Sequence, residues 1–569
     1  MPVKPNHPFA ALVLGFATVV SGQSVSAEPS AGDYLAARHA SFMSDYKAGS
    51  EYYTKALLGD PSNPALLENA LVSFVGLGDF GRAIPVARKM ESDGIVSQIS
   101  RMVLIVGMAK NDDYDGLMAK LDKGETVGPL VDGLIAAWAE IGKGNKPAAM
   151  AGFDEVAQRK GMRSFGLYHK ALALASIGDF EGADKIFSGD ESGPVRITVG
   201  GVLAHVEILS QLGRNADGLE ILSKVFGDEP DPRIAQLHDA LIAGEKVPFS
   251  MVHNAREGMA EVFFSVASAL KGETDDGYTL NYSRMAEQLN PNHIDAILLS
   301  AGILEKLERH DLATDTYNRV PRDDPSFFAA ELGRAGAMRK AGKEEAALEV
   351  LQQLAKSHGN LPSVHSALGD AYRQEKRYKE AAAAYDRAVE LSGKPTPDNW
   401  FLYYARGISR ERIDEWDKAE ADFRLALKLN PNQPQVLNYL GYSLLEHNIK
   451  LDEALKMIQR AVLAVPDDGY ITDSLGWALF RLGRYDEAAK YMQRAAELTP
   501  VDPIVTDHLG DSLWAVGRKL EARFQWRRAL SYEPEPKEMT RIRRKLEIGL
   551  DAVLEEEGAD PIPVAANGD

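Results

Sequence analysis

Small and large apolar residues return at fixed places along the C-terminal half of the chain. Leu368-Gly369, Tyr372, Ala381, Tyr385 and Ala388 set the pattern. Gly407, Ala419, Phe423, Ala426 and Pro431 repeat it, and so do Leu440-Gly441, Ala454, Ile458, Ala461 and Pro466. Two further copies follow: Leu475-Gly476, Ala488, Met492, Ala495 and Pro500, then Leu509-Gly510, Ala522, Trp526, Ala529 and Pro534. Prolines 431, 466, 500 and 534 stand 35, 34 and 34 residues apart. Each copy predicts two antiparallel helices. Small residues such as Gly441, Ala454 and Ala461 belong where the helices cross closely. Large ones such as Tyr385, Phe423 and Trp526 fill the wedge between neighbouring hairpins. The turn Gly483–Asp486 joins two helices, and each Pro ends the second, because its ring cannot continue the hydrogen-bond ladder.

A 34-residue helix-turn-helix period with Leu-Gly, Ala, aromatic, Ala and Pro marks is that of the tetratricopeptide repeat (TPR). One hairpin buries too little by itself, so neighbours must stack. The expected fold is all-α, a TPR superhelical solenoid. Upstream the marks thin but the period holds: Tyr53, Ala56 and Pro61; Gly78-Asp79-Phe80 with Ala83; Gly178-Asp179-Phe180 with Ala183 and Phe187; Ala301, Ala313 and Tyr317. About fourteen repeats start near residues 30, 64, 98, 130, 164, 199, 260, 294, 328, 362, 400, 434, 469 and 503. The expected layout is an N-terminal arm over 28–232, an irregular break over 233–259 containing Val247-Pro248-Phe249, and a C-terminal arm over 260–535. A capping helix over 536–557 and a disordered tail over 558–569 complete it.

Composition narrows the function. The 569 residues are 45% hydrophobic, enough for a packed interior. There is no Cys, which excludes disulfides, thiol nucleophiles, Cys-ligated metals and an N-terminal lipid anchor. A net charge of −19 repels nucleic acid and anionic membrane surfaces. Lys4, the apolar run Phe9–Val20 and the small residues Val25-Ser26-Ala27 read as a cleavable signal peptide over 1–27, cut before Glu28. The alternative is an uncleaved anchor, against which Gly15, Gly22 and the cleavage site argue. The expected location is the periplasm, with no transmembrane segment in the mature chain.

No metalloprotease, nucleophile-elbow or phosphate-loop signature is present, so the chain is expected to be neither an enzyme nor a cofactor protein. Asn111, Asp113, Asp115 and Gly116 match part of a calcium loop, but the first ligand is Asn and the twelfth position is Asp122. The same residues suit the turn of the third repeat. His358 and His365 lack a third ligand, and no metal site is expected.

In a TPR hairpin the second, fifth, ninth and twelfth positions of the first helix face the concave side. That register gives Phe401 and Tyr404, then Asn438, Tyr442 and Leu445. It continues with Tyr470, Asp473, Trp477 and Phe480, then Asp507, Asp511 and Trp514. Aromatics mixed with Asn and Asp have the composition of a protein-binding hot spot. The other possibility is that winding buries them against each other or the capping helix. A basic cluster follows: Arg518, Lys519, Arg523, Arg527, Arg528, Arg541, Arg543, Arg544 and Lys545. It could dock an acidic partner, or form a solvated face paired with Glu521, Glu533 and Glu538.

The runs Leu437–Tyr442, Asp473–Trp477 with Leu479–Gly483, and Asp507–Asp511 with Trp514 resemble the long TPR lipoproteins of the bacterial envelope. The resemblance implies an adaptor that binds a carboxyl-terminal processing protease. It does not carry over a membrane anchor, because the lipidated Cys is missing. The expected function is an exported scaffold that holds a protein in the concave groove, with such a protease or its substrate as the candidate partner. The alternative is a structural scaffold for envelope or exopolysaccharide assembly.

Overall fold

The computed structural model describes residues 31–189, 198–227 and 232–558. The expected signal peptide over 1–27 and residues 559–569 of the expected tail lie outside the described residues. Among the described residues every regular element is helical, and thirteen pairs of consecutive helices pack as hairpins. Hairpins begin at residues 64, 98, 129, 163, 199, 294, 362, 400, 434, 469 and 503, each within one residue of the position its marks imply.

The steric reason for the marks is visible inside each hairpin. A Cβ added to Gly510 would lie 2.5 Å from the Trp526 ring, and one on Gly369 would lie 2.6 Å from that of Tyr385. The large residue of the second helix therefore lies over the glycine of its own first helix. It does more than fill the gap between hairpins. Ala461 is fully buried with Leu437 and Ile471, at the junction of two hairpins.

Two compact units result, one ending at Ala341 and one starting at Gly342. The break at 233–259 does not separate them, contrary to the expected arms. The two helices of the repeat near 328, Phe327–Lys340 and Glu344–Ser357, fall one in each unit.

In the N-terminal unit, helix Pro232–Ile242 ends the outward run of hairpins, and residues 243–254 return along helix Val199–Gln211. Ser250 donates through its backbone N and its hydroxyl to Glu207, at 2.8 and 2.7 Å. The side chain of Asn215 donates to the Glu245 carbonyl at 2.9 Å. The return delivers hairpin Ala255–Leu270 and Asp276–Leu289 onto the first helices of the early repeats, Pro64–Leu77, Gln98–Lys110, Pro129–Gly142 and Arg163–Ser176.

Candidate protein-binding face

The first helix of each hairpin carries the side chains that could meet a partner, and the two units treat that helix differently. In the N-terminal unit it is covered. Trp138 is fully buried, and a Cβ on Gly258 would lie 2.3 Å from its ring, so only glycine lets Ala255–Leu270 approach. Trp138 Nε1 donates to His169 Nδ1 at 3.2 Å, and His169 Nε2 lies 3.2 Å from Ser265 Oγ. The Tyr168 hydroxyl donates to Glu261 at 2.9 Å, and the other oxygen of Glu261 is 2.9 Å from His293 Nε2. Burial pushes His169 down to about 3, so its imidazole is neutral near pH 7.

The covering helix Asp276–Leu289 is polar in composition yet mostly buried. Its polar groups are paired, as burial requires. Arg284 donates to Glu287 at 2.9 Å, to Thr316 at 3.2 Å and to the Gly76 carbonyl at 3.3 Å. Glu287 also receives Arg319. Ser283 Oγ donates to the Ala296 carbonyl at 2.9 Å.

In the C-terminal unit the corresponding helices are Pro362–Gln374, Trp400–Glu411, Pro434–Glu446, Gly469–Arg481 and Pro503–Ala515. The last is covered. Helix Pro536–Ile548 buries Lys545 completely, with Nζ 2.7 and 2.8 Å from both carboxylates, Asp507 and Asp511. Trp526 Nε1 donates to Asp511 at 2.9 Å, and Trp514 Nε1 donates to Asp551 at 2.9 Å. Burial, with the Asp511 charge adding to it, pushes Asp507 up to about 6. Asp507, Asp511 and Trp514 are therefore not open groove residues, and the structure corrects that reading. Lys545 is likewise no docking cation. Two sets of residues separately read as meeting a partner meet each other instead.

Most of the remaining basic cluster is also engaged. Arg541 pairs with Glu557 at 2.7 Å, Arg544 with Glu556 at 2.5 Å, and Arg518 with Glu521. Arg523 donates to the Leu546 carbonyl at 2.6 Å. Arg528 donates to the Pro500 carbonyl at 2.6 Å. Arg460 and Arg494 stand 34 residues apart from each other, and Arg528 34 beyond. Like Arg528, they reach back to the preceding inter-hairpin loop, at Pro431 and Asp467. This ladder repeats with the period and went unread in the sequence.

The three hairpins before the last keep an open, partly exposed face. Tyr404 is half-buried with its ring 6.1 Å from Phe423 and 5.9 Å from Tyr439. Tyr442 and Asn438 share one helix face. Burial and the nearby Glu446 and Asp473 charges push the Tyr442 hydroxyl up, so it stays a neutral donor. Asn438 Oδ1 is shielded from solvent and has no hydrogen-bond partner among the described residues. Trp477 stacks on His508 at 4.2 Å and on Phe480 at 5.0 Å, and its Nε1 donates to Glu446 at 3.2 Å. His508 lies 3.0 Å from the buried Asp473. Burial opposes protonation of His508, but the Asp473 charge overrides it and raises its pKa. Tyr470 is 60% exposed, and Phe480 is buried against Tyr485. Of the proposed groove residues, Tyr404, Asn438, Tyr442, Tyr470 and Trp477 thus remain reachable, and Asp473 and Phe480 support them from below.

The calcium-like residues are spent otherwise. Asp113 caps helix Tyr114–Asp122 by accepting from Gly116 N at 3.0 Å, and Asp115 pairs with Lys143 at 3.0 Å. No group of three or more His, Cys, Asp or Glu among the described residues is arranged to hold a metal ion. No helix of the described residues is long and apolar enough to cross a membrane.

Stacked helical hairpins with an aromatic inner face define a helical-repeat protein. Family models described as "Tetratricopeptide repeat" match residues 448–503 and 362–394. Tetratricopeptide repeats thus lie within residues 362–503 of the chain. It is 28% identical over 201 residues to TPR repeat-containing protein PA4667 of Pseudomonas aeruginosa, covering 34% of this chain and 32% of that one. It is 26% identical over 224 residues to human protein O-mannosyl-transferase TMTC1, covering 39% of this chain and 24% of that one. The chain thus spans about a third or less of these relatives. Among solved structures it is similar to the APC/C hetero-tetramer Cut9–Hcn1, at 14% identity and a TM-score of 0.40, covering 91% and 96% of the two chains.

Proposed function

We propose that the protein is an exported interaction scaffold that holds an extended segment of a partner protein on the inner face of hairpins 400–498. The observation that carries this reading is the unpaired Asn438 amide oxygen beside Tyr442, within a face that also carries Trp477. A shielded acceptor without a donor costs about 1–3 kcal/mol, which a backbone N–H of a bound peptide would recover once the half-buried Asn438 side chain turns toward the open face. Tyr442, and the part of the Trp477 ring left exposed by its stacking on His508 and Phe480, supply apolar contact with few rotamers to freeze. On the first helices Pro64–Leu77, Gln98–Lys110, Pro129–Gly142 and Arg163–Ser176 of the N-terminal unit, hairpin 255–289 fills the corresponding place.

The narrower reading is a periplasmic adaptor that presents a carboxyl-terminal processing protease or its substrate. It rests on the resemblance of residues 437–514 to envelope adaptors and on the signal-like residues 1–27. Panning a displayed random-peptide library on the full chain tests the face. Selected peptides should lose at least tenfold in affinity when Tyr442 and Trp477 are both changed to Ala; unchanged affinity contradicts the site. N-terminal sequencing of the chain from a periplasmic fraction should begin at Glu28. Recovery of the chain only from the cytoplasm contradicts export. A purified processing protease should cleave its substrate faster with the chain present, and no acceleration removes the adaptor reading while leaving the peptide face standing.

A further inference from the structure

The repeats of one chain serve as controls for each other, and the last hairpin departs from the others on its outer face. Two residues before the small Ala of the second helix, the three preceding hairpins carry Asp417, Asp452 and Asp486, all exposed. The last hairpin carries Leu520, which is 86% exposed. Two residues after that Ala, the preceding two hairpins carry exposed Lys456 and Lys490. The last hairpin carries Phe524, 66% exposed. Exposed charges have thus been replaced at both positions by large apolar side chains that no described residue covers.

Leu520 and Phe524 are one helical turn apart, so they form a single apolar stripe on helix Lys519–Leu530. Lys519, Arg523 and Arg527 recur at the same four-residue interval and lie alongside it. Arg527 is exposed with no ion-pair partner among the described residues. Lys519 is 3.7 Å from Asp551 with more than half its side chain in water. The chain as a whole is acidic, at net −19. An extended anionic surface such as a membrane would meet that whole charge. A short acidic segment would meet only the local cations.

We propose that the outer face of the last hairpin is a second docking surface. It receives an acidic amphipathic segment of another protein, whose apolar side chains seat between Leu520 and Phe524 and whose carboxylates meet Lys519 and Arg527. This surface lies on the second helix and does not depend on the inner face.

The test uses the full chain and a fluorescein-labelled helical peptide with Leu and Phe on one face and Glu on the other. The control is the same peptide with Lys for Glu. Leu520→Asp with Phe524→Lys installs residues that the same positions already carry in folded hairpins, so the variant keeps its fold. Fluorescence anisotropy should show the Glu peptide binding, with affinity at least tenfold weaker for this variant and falling as salt rises. Affinity should be unchanged in Tyr442→Ala with Trp477→Ala, which separates this surface from the inner face. Equal binding of the Lys peptide, or no binding of either, overturns the proposal. So does preferential co-sedimentation with phosphatidylglycerol vesicles, or self-association that the variant abolishes. Binding that emerges only after removal of residues 559–569 would assign the face to the chain's own tail and overturn it as well.

Discussion

In the N-terminal unit, Ala255–Leu270 and Asp276–Leu289 lie against the first helices of four repeats. Among the described residues of the C-terminal unit, the last first helix is covered by Pro536–Ile548, and hairpins 400–498 before it keep a partly exposed face. The same repeat has been used in two ways. Where the inner face is filled, its polar groups are closed into pairs such as His169–Ser265 and Tyr168–Glu261. Where it is open, an amide oxygen is left unpaired and a tryptophan lies partly in water. A helical repeat supplies a surface, and what the chain folds onto that surface decides whether it remains available.

The largest effect is expected at the cap. Lys545→Met leaves Asp507 and Asp511 buried with their main countercharge gone, which typically costs about 3–5 kcal/mol. Hydrogen exchange should accelerate over residues 503–556 and stay unchanged before residue 342. Adding Asp507→Asn and Asp511→Asn should restore most of the protection. If the triple variant is no better than the single one, the ion pairs are not what holds the cap.

The next effect belongs to the filled unit. Gly258→Ala forces a methyl group against Trp138 and should cost about 1–3 kcal/mol. Faster exchange should appear over 129–176 and 255–270. Gly302→Ala, where the added methyl meets nothing within 4 Å, should instead stabilise its helix by up to about 1 kcal/mol. Equal destabilisation by both would mean that the hairpin does not fit as closely as Gly258 implies.

Acidity sharpens the contrast with a smaller, graded effect. His169 titrates near 3 when folded and near its ordinary value of 6.5 when unfolded, so the unfolded chain binds more protons between those values. Stability of the N-terminal unit should fall as pH drops through that window, by at most about 1.4 kcal/mol per pH unit from this group. His508 has the opposite sign. Its folded value is raised, so its contribution is complete below 6.5 and is lost as pH rises through the folded value. His293 beside Glu261 shares the sign of His508. The check is denaturation of His169→Gln and His508→Gln between pH 4 and 8. The first should lose the acid-side slope in the N-terminal unit and the second the alkaline-side slope in the C-terminal unit. Slopes unaltered by either change would mean that these histidines do not carry the linkage.

The fold was largely legible because its cause is local. A glycine facing a large side chain within one hairpin leaves the same trace every 34 residues, as Gly510–Trp526 and Gly369–Tyr385 do. The covering of the N-terminal inner faces was not legible, because it depends on partners far apart in sequence, whereas burial against the capping helix stands in the sequence as the alternative for the last hairpin. Helix Asp276–Leu289 reads as polar in composition, and distant partners such as Gly76, Ala296, Thr316 and Arg319 pair its polar groups on burial. Register placed Asp507 and Asp511 on the inner face but could not say that Lys545, 38 and 34 residues on, would occupy it. Tyr442 and Trp477 are partly exposed, although the ring of His508 from the next hairpin stacks on Trp477.

The most direct measurement is hydrogen exchange of the full chain with and without a saturating peptide selected by panning. The expected result is added protection confined to helices Pro434–Glu446 and Gly469–Arg481, with exchange over 255–289 unchanged. Protection elsewhere, or accelerated exchange over 255–289 as that hairpin is displaced from the N-terminal unit, would contradict the division into one filled and one open face.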